Sequence, residues 1–331
     1  MCYEWGDAGA YHALKNPAEL ALNVALKRVA DCAPVKPKYE FFGGEPLLYR
    51  NLYPLIAAIL EAGSTLSFST NGTLLARHAQ RLTATPPTRV WVSLDGPMLA
   101  NDRQRGRGVF QRAADGIAKL AQLRSSALTP EIGIACVITP ENWQDIGVAF
   151  IESLELGAIS AISLELMCYA TAEQLLAHRQ LMQRVFGVHR TPCADAYQRS
   201  LEDFSGIDSS LLSEQIERIR ALCIARGIEL NTQASITSAE NLAHYFAGRF
   251  DQMQDRRSRC AVPWISAEIT ARGDVGTCHS FYDLSLGNVY QQSLIEIWQG
   301  STAGQFRDLM REQLLPICTA CCRYYGGAGA K

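Results

Sequence analysis

The sequence predicts an α/β protein in which parallel strands alternate with helices, and two observations indicate this fold class. Apolar runs rich in β-branched and aromatic residues alternate with amphipathic segments along the first half of the chain. Several of these runs also end in polar or glycine-containing turns, and α/β proteins bind their ligands where such turns converge. Strands and helices that alternate at this spacing indicate right-handed β-α-β units and a parallel sheet.

Five strands are predicted before residue 167, with helices between them. The strand segments are YEFF, LSFST, VWVSL, IGIACVIT and ISAISLEL. Helices are expected over residues 17–31, 52–62, 74–82, 110–123 and 139–156, the first of them capped by Asn16. Farther along, helices are expected from Thr171 toward Phe186, from Asp208 to Arg226 and from Thr237 toward Met253, with IELNTQ as a short strand.

Composition limits the classes of protein that the chain can belong to. The 331 residues carry a net charge of −2, which gives no electrostatic footprint for nucleic acid or an anionic membrane. No stretch approaches the roughly 18 apolar residues of a membrane span, and no signal segment follows Met1. A cytoplasmic protein is therefore expected. Eleven cysteines in a reducing compartment favour metal ligation over disulfides for those that cluster.

The turn after the first strand, Gly43-Gly44-Glu45-Pro46, is the first candidate binding site. Two residues without a Cβ leave bare backbone groups beside a carboxylate, an arrangement suited to the ammonium group of an amino-acid-like ligand. From these four residues alone, an ordinary strand-to-helix turn is an equally good interpretation. The next two strands end in further polar turns, which contribute Ser69 and Asn71, then Ser93 and Asp95. A single such turn is common loop chemistry, but their succession on consecutive strands predicts a binding site.

A second constellation of residues lies near the C-terminus. Cys260 and Cys278 bracket a predicted hairpin, and Cys318 and Cys321 form a CxxC motif, with Cys322 adjacent. Four thiolates of this kind can hold one metal centre. The spacing fits a structural zinc ion as well as an iron-sulfur cluster.

These motifs together resemble the radical S-adenosylmethionine (SAM) enzyme superfamily. The resemblance covers roughly residues 2–166 and depends on Cys2-Tyr3, GGEP, STNG, SLDGP and the run NDRQRGRGVF. It implies a partial (β/α)6 barrel and a [4Fe-4S] cluster that is held by a CxxxCxxC motif and chelated by SAM. On this resemblance Cys2 is the third cluster ligand, and Tyr3 lies near the adenine. The GGEP backbone contacts the SAM amino group, and polar residues on later strands contact its ribose and carboxylate.

The C-terminal segment resembles the twitch/SPASM-like auxiliary-cluster extension of these enzymes, in its shorter twitch form with one cluster. The longer SPASM form needs further cysteines after the CxxC motif, and none follows Cys322. The resemblance implies one auxiliary [4Fe-4S] cluster on Cys260, Cys278, Cys318 and Cys321, with Cys322 beside it. We expect three parts: the barrel over residues 1–187, a mainly helical linker over 188–255 and a small α+β cluster domain over 256–331.

The expected function is that of a radical SAM enzyme, in which a 5′-deoxyadenosyl radical abstracts hydrogen from a peptide or small molecule. The expected electron donor is a flavodoxin or ferredoxin, and neither nucleic acid nor membrane is an expected partner. The alternative is a catalytically silent homologue that binds a SAM-like ligand or a peptide. Because the printed chain supplies only Cys2 of the triad, we expect truncation, a missing first strand and no reductive SAM cleavage by this chain.

Overall fold

The computed structural model describes residues 2–15, 17–124, 129–154, 156–233, 236–254, 259–278 and 282–325. The chain folds into two compact units. The sheet unit comprises Cys32–Met167 and Gly206–Ala243, and the cysteine unit comprises Met1–Asp31, Cys168–Ser205 and His244–Lys331. The three-part division of the chain expected from the sequence stays a prediction.

The sheet unit is built on a parallel sheet of six strands within the described residues, and each strand pairs with the next one in the chain. The strands are β1 (Lys38–Phe41), β2 (Thr65–Thr70), β3 (Arg89–Ser93), β4 (Glu131–Ile138), β5 (Ala161–Leu166) and β6 (Glu229–Thr232). The five strands predicted before residue 167 and the short strand in IELNTQ are all present. The predicted fold class, a partial parallel α/β barrel with a small C-terminal domain, is confirmed.

Helices follow or separate the strands, and further helices build the cysteine unit. Those up to residue 152 are α1 (Leu22–Cys32), α2 (Leu52–Glu61), α3 (Leu75–Ala84), α4 (Met98–Arg105), α5 (Val109–Leu123) and α6 (Val148–Glu152). The next four are α7 (Ala172–Phe186), α8 (Pro192–Asp195), α9 (Ser209–Arg226) and α10 (Ala239–Phe246). The last four are α11 (Val262–Ile265), α12 (Leu294–Gln299), α13 (Ser301–Glu312) and α14 (Cys322–Tyr325).

Local signals placed several helix ends correctly. Thr171 and Gln174 form the capping box of α7, and Asp208 accepts hydrogen bonds from the first turn of α9. The helix predicted over 17–31 begins only at Leu22, and Asn16, its predicted cap, lies outside the described residues.

The helix predicted over 139–156 is wrong, since α-helix covers only the five residues of α6 among the described residues of this range. Its first turn is replaced by side-chain contacts. The Asn142 side chain accepts a hydrogen bond from the Thr139 amide and donates to the Val137 carbonyl, and such contacts compete with a helix.

One face of the sheet is apolar and the other is polar. Val90 and Val92 of β3 are buried, whereas Trp91, between them, points to the other face and is only half-buried. Arg89, at the start of β3, donates to Glu131 of β4 (2.7 Å) and to Glu229 of β6 (2.8 Å). Because β6 lies two strands beyond β4, one side chain reaches both carboxylates only if the sheet curves toward its polar face.

Gly72 fixes the turn after β2 against α5. Its φ is +79°, and a Cβ on it would lie 2.7 Å from the Cβ of Ala113. Only glycine meets both demands without strain. The turn that carries Asn71 is therefore fixed in one backbone conformation.

The run NDRQRGRGVF forms α4, the glycine-containing turn after it and the start of α5. The Asp102 carboxylate accepts hydrogen bonds from the backbone amides of Gly108 and Phe110, which cap the N-terminus of α5. These backbone hydrogen bonds lower the pKa of Asp102 from its usual value, since they stabilise the charged form.

The cysteine unit has a separate apolar core, in which α7 and α13 contribute Leu175, Met182, Phe306 and Met310. The predicted hairpin is present as two short antiparallel strands, β7 (Glu268–Ile269) and β8 (Val275–Gly276). Within the described residues, no helix is both long and apolar enough to span a membrane.

Asp102→Asn tests the cap of α5 through its pH dependence. A carboxylate whose folded pKa is lowered stabilises the fold above its unfolded pKa, and this contribution disappears as pH falls through the folded pKa. The variant should therefore melt roughly 2–4 °C below the parent protein at pH 7, and the difference should shrink below about pH 4. Thermal melts from pH 7 to pH 3 measure this, with Asp115→Asn on the exposed face of α5 as the control. A difference that is constant with pH would contradict the assignment.

Candidate functional site

The turn after β1 exposes backbone in an unusual conformation. Gly43 and Gly44 have φ values of +81° and +49°, so two successive residues lie in the left-handed region. A side chain at either position would be strained, by roughly 1–2 kcal/mol per residue. Glycine at both positions allows this turn to form without strain.

The Glu45 carboxylate ties this turn to the turn after β2. One carboxylate oxygen accepts two hydrogen bonds, from the Leu47 amide (3.1 Å) and from the Thr70 hydroxyl (2.7 Å). The second oxygen accepts one from the Asn71 amide (2.9 Å). Pro46 is buried and starts the single 3₁₀ turn that presents the Leu47 amide. Glu45 and Asn71, both predicted site residues, are therefore in direct contact.

The other predicted residues on β2 and β3 lie close to these turns. Asn71 accepts hydrogen bonds from the amide (2.8 Å) and hydroxyl (2.6 Å) of Thr73, so its side-chain oxygen shapes its own turn. Ser69 is paired in register with Trp91, and Ser93 ends β3. Both serines are half-buried on the polar face of the sheet.

Asp95 is fully buried, and protein groups engage both of its carboxylate oxygens. One accepts a hydrogen bond from the Val137 amide (3.0 Å), and the other is paired with the Arg105 guanidinium (2.6 Å). Asn142 also donates to the Asp95 carbonyl (2.9 Å). Asp95 thus joins the end of β3 to the end of β4, as Glu45 joins the ends of β1 and β2.

Cys2 and Tyr3 belong to the cysteine unit. Cys2 is exposed, and its sulfur accepts a hydrogen bond from the Trp5 amide (3.3 Å). The Tyr3 ring stacks on Tyr197, with centroids 4.0 Å apart, and its hydroxyl donates to the Cys168 carbonyl. The placement of Tyr3 beside an adenine stays a prediction.

Cys260, Cys278, Cys318 and Cys321 line one cavity in the cysteine unit, with an empty volume of ≈ 430 Å³ including its opening to solvent. The sequence predicted this grouping from residues up to 61 positions apart (321 − 260). Within the described residues, no three Cys, His, Asp or Glu side chains form a ready site for a single metal ion.

Three of the four thiols of this cavity are destabilised as thiolates. Burial raises the pKa of Cys278 and of Cys318, and the neighbouring Cys321 thiol raises both further. A hydrogen bond with Cys322 is the main cause that raises the pKa of Cys321. A cationic metal centre among them would relieve this cost, because thiols bind metals in the deprotonated form.

Sequence reasoning missed several residues that these sites use. Cys168 accepts a hydrogen bond from the Cys322 amide (3.1 Å), although no spacing pattern links the two cysteines. Arg323 lines the cysteine cavity and pairs with Glu268. Thr70 and Arg105 stood inside quoted motifs but had no assigned role. The position of Arg323 next to the CxxC motif was the one available signal for it.

Comparisons with known proteins agree with this geometry. The model of the radical SAM superfamily matches residues 1–150, and the SPASM model, an iron-sulfur cluster-binding domain, matches residues 260–322. The second match begins at Cys260 and ends at Cys322. Both predicted constellations therefore fall inside a family match.

Among curated relatives, the chain is 32% identical over 149 residues to the AdoMet-dependent heme synthase of Nitratidesulfovibrio vulgaris. That match covers 44% of this chain and 39% of the relative. The Fe-coproporphyrin III synthase of Methanosarcina barkeri is 35% identical over 136 residues, 40% of this chain and 33% of the relative. The chain thus spans about a third to two fifths of the length of these curated relatives.

Among solved structures, Streptococcus suis SuiB superimposes with a TM-score of 0.62 at 14% identity, over 91% of this chain and 65% of SuiB. Native anSMEcpe, with bound AdoMet and the Kp18Cys peptide, superimposes with a TM-score of 0.60 at 15% identity, over 96% of this chain and 85% of that chain. At this identity the likeness shows the fold alone.

Residues 1–150 therefore form a radical SAM domain, and residues 260–322 form a SPASM-type iron-sulfur cluster-binding domain. The cofactors of this class are SAM and [4Fe-4S] clusters. The residues present fit both cofactors. Gly43 and Gly44 form a turn of left-handed backbone, and four thiols line one cavity.

The ligand set of the auxiliary cluster can be tested by deleting thiols one at a time. Cys318→Ala should lose most of the iron and sulfide of the C-terminal site, because it removes one of the four proposed ligands and disrupts the CxxC motif. Cys322→Ala should retain them, because Cys322 does not line the cavity. Metal and sulfide analysis of anaerobically purified protein measures both, with Cys223→Ala as a buried-cysteine control. Zinc without sulfide, or loss in Cys322→Ala alone, would contradict the assignment.

Proposed function

We propose that this protein is a radical SAM enzyme that removes hydrogen from a peptide or small-molecule substrate. The observation that carries the proposal is the left-handed Gly43-Gly44 turn, which the adjacent Glu45 ties to Thr70 and Asn71 at the end of β2. When bound, SAM and the clusters supply a 5′-deoxyadenosyl radical and a route for electrons, from a donor such as a flavodoxin or ferredoxin.

The chain's own residues bind and orient. The backbone carbonyls of the Gly43-Gly44 turn would accept hydrogen bonds from the SAM ammonium. Glu45 would support this contact by holding the turn in place and would not bind SAM itself. Its carboxylate oxygens already accept hydrogen bonds from Leu47, Thr70 and Asn71. Ser69 and Ser93, on the half-buried polar face, are the side chains proposed to reach the ribose and carboxylate.

The polar face of the sheet is the proposed substrate surface. Trp91 lies flat over Gly133, where a Cβ would be 2.4 Å from the ring. Glu165 on β5 accepts a hydrogen bond from Ser163 (3.1 Å) on the same face. This face thus carries an aromatic ring on β3 and a carboxylate on β5, two groups that suit a peptide, and SuiB and anSMEcpe were each solved with a peptide bound.

In the cysteine unit, Cys2 is the proposed third ligand of the SAM cluster, with Tyr3 behind it. Cys260, Cys278, Cys318 and Cys321 would hold the auxiliary cluster. Burial of two of these thiols excludes water from the cluster site, which keeps the local dielectric low.

Reductive SAM cleavage tests the function directly. A chain extended at its N-terminus to supply CxxxC ahead of Cys2 should form 5′-deoxyadenosine from SAM under dithionite. Cys2→Ala in that chain should reduce the yield at least a hundredfold, and Cys32→Ala should leave it unchanged. Chromatography of the products measures the yield. Undiminished 5′-deoxyadenosine from Cys2→Ala would contradict the ligand role of Cys2, and SAM binding without cleavage in the extended chain would favour a silent binding protein.

A further inference from the structure

One charged side chain lines the cysteine cavity within the described part of the chain. Arg323 follows the CxxC motif in sequence and faces the same space as the four thiols. The other lining residues are apolar or neutral, including Phe306, Met310 and Thr277. A guanidinium in such surroundings acts on any charge placed in the cavity with little screening.

Arg323 is held there by a partner on the hairpin. Its guanidinium donates to Glu268 of β7 at 2.5 Å, and the side chains of Arg323 and Glu268 are only 23% and 14% exposed. The other Glu268 oxygen accepts a hydrogen bond from the Tyr282 hydroxyl (2.7 Å). Both carboxylate oxygens are thus engaged, so the ion pair has a fixed orientation.

Both members of the pair lie next to proposed cluster ligands. Arg323 is two residues after Cys321 and lines the cavity, and Glu268 is paired in register with Gly276, two residues before Cys278. Two opposite charges held this close to the cavity act on any cluster that the four thiols hold.

We propose that the Arg323–Glu268 ion pair sets the reduction potential of the auxiliary cluster. This inference rests on the proposed ligand set of that cluster. A [4Fe-4S] cluster with four thiolates gains one negative charge when it accepts one electron. A nearby cation therefore favours the reduced state, and a nearby anion favours the oxidised state. The Arg323 charge would therefore raise the reduction potential of the cluster, and the Glu268 charge would lower it.

The test is a redox titration of the full chain, purified anaerobically with the Cys2→Ala substitution so that the signal comes from the C-terminal cluster. Arg323→Gln should shift the midpoint potential to more negative values, by at least a tenfold change in the oxidised-to-reduced ratio, which is about 59 mV for one electron. Glu268→Gln should shift it by a similar amount to more positive values. Arg323→Lys keeps the charge and should shift it less than Arg323→Gln.

Arg311→Gln is the matched control, because it removes the same charge from an exposed ion pair with Asp308 on α13. Its potential should not move. Two results would overturn the inference and leave the ligand assignment intact. In both, Arg323→Gln and Glu268→Gln keep their iron and sulfide, and their potentials either do not shift or shift in the same direction. If Arg323→Gln loses its cluster, the direction of the potential shift in Glu268→Gln tests the inference. Absence of iron and sulfide from every variant would overturn the ligand assignment and the inference with it.

Discussion

The hydrogen bonds of the Glu45 carboxylate to the end of β2 are the constraint on which the proposed SAM site depends. Thr70 and Asn71 donate to different oxygens of the carboxylate, so the GGEP turn and the STNG turn cannot move independently. Removing the acceptor would leave the buried Thr70 hydroxyl and the half-buried Asn71 amide unsatisfied, at a cost of about 1–3 kcal/mol. Gly43 and Gly44 hold their left-handed conformation against this fixed neighbour, and their backbone groups keep one orientation.

A second carboxylate repeats the arrangement one pair of strands away. Asp95 joins the end of β3 to Val137 of β4 and is neutralised by Arg105 from α4. Acids at the carboxyl ends of parallel strands are expected to contact ligands, yet here both hold neighbouring turns in place. The ligand-facing groups would then be backbone atoms and the smaller side chains Ser69 and Ser93. Such a site is preorganised, because the groups that support it are themselves locked.

The sequence predicted the parallel sheet and the grouping of the four cysteines, because strand periodicity, capping residues and CxxC spacing are local signals. It failed after Pro140, where Asn142 bonds to the strand end instead of letting a helix form. The contacts of Cys168 with Cys322 and of Glu268 with Arg323 join residues 154 and 55 positions apart, which no local pattern encodes. Likewise the quoted motifs contained Glu45 and Asp95, but their engagement by protein donors is a property of the fold.

The central claim is that Glu45 acts on SAM through the neighbouring turn, and a double-mutant cycle tests it most directly. SAM affinity would be measured by calorimetry for Glu45→Gln, Thr70→Val and the double variant. The account predicts that each single substitution weakens SAM binding. The double variant should bind SAM no more weakly than the single variant of lower affinity, with a coupling free energy of roughly 1 kcal/mol or more between the two substitutions. Additive effects, or a loss in Glu45→Gln with full affinity in Thr70→Val, would contradict it and indicate direct contact between Glu45 and the ligand.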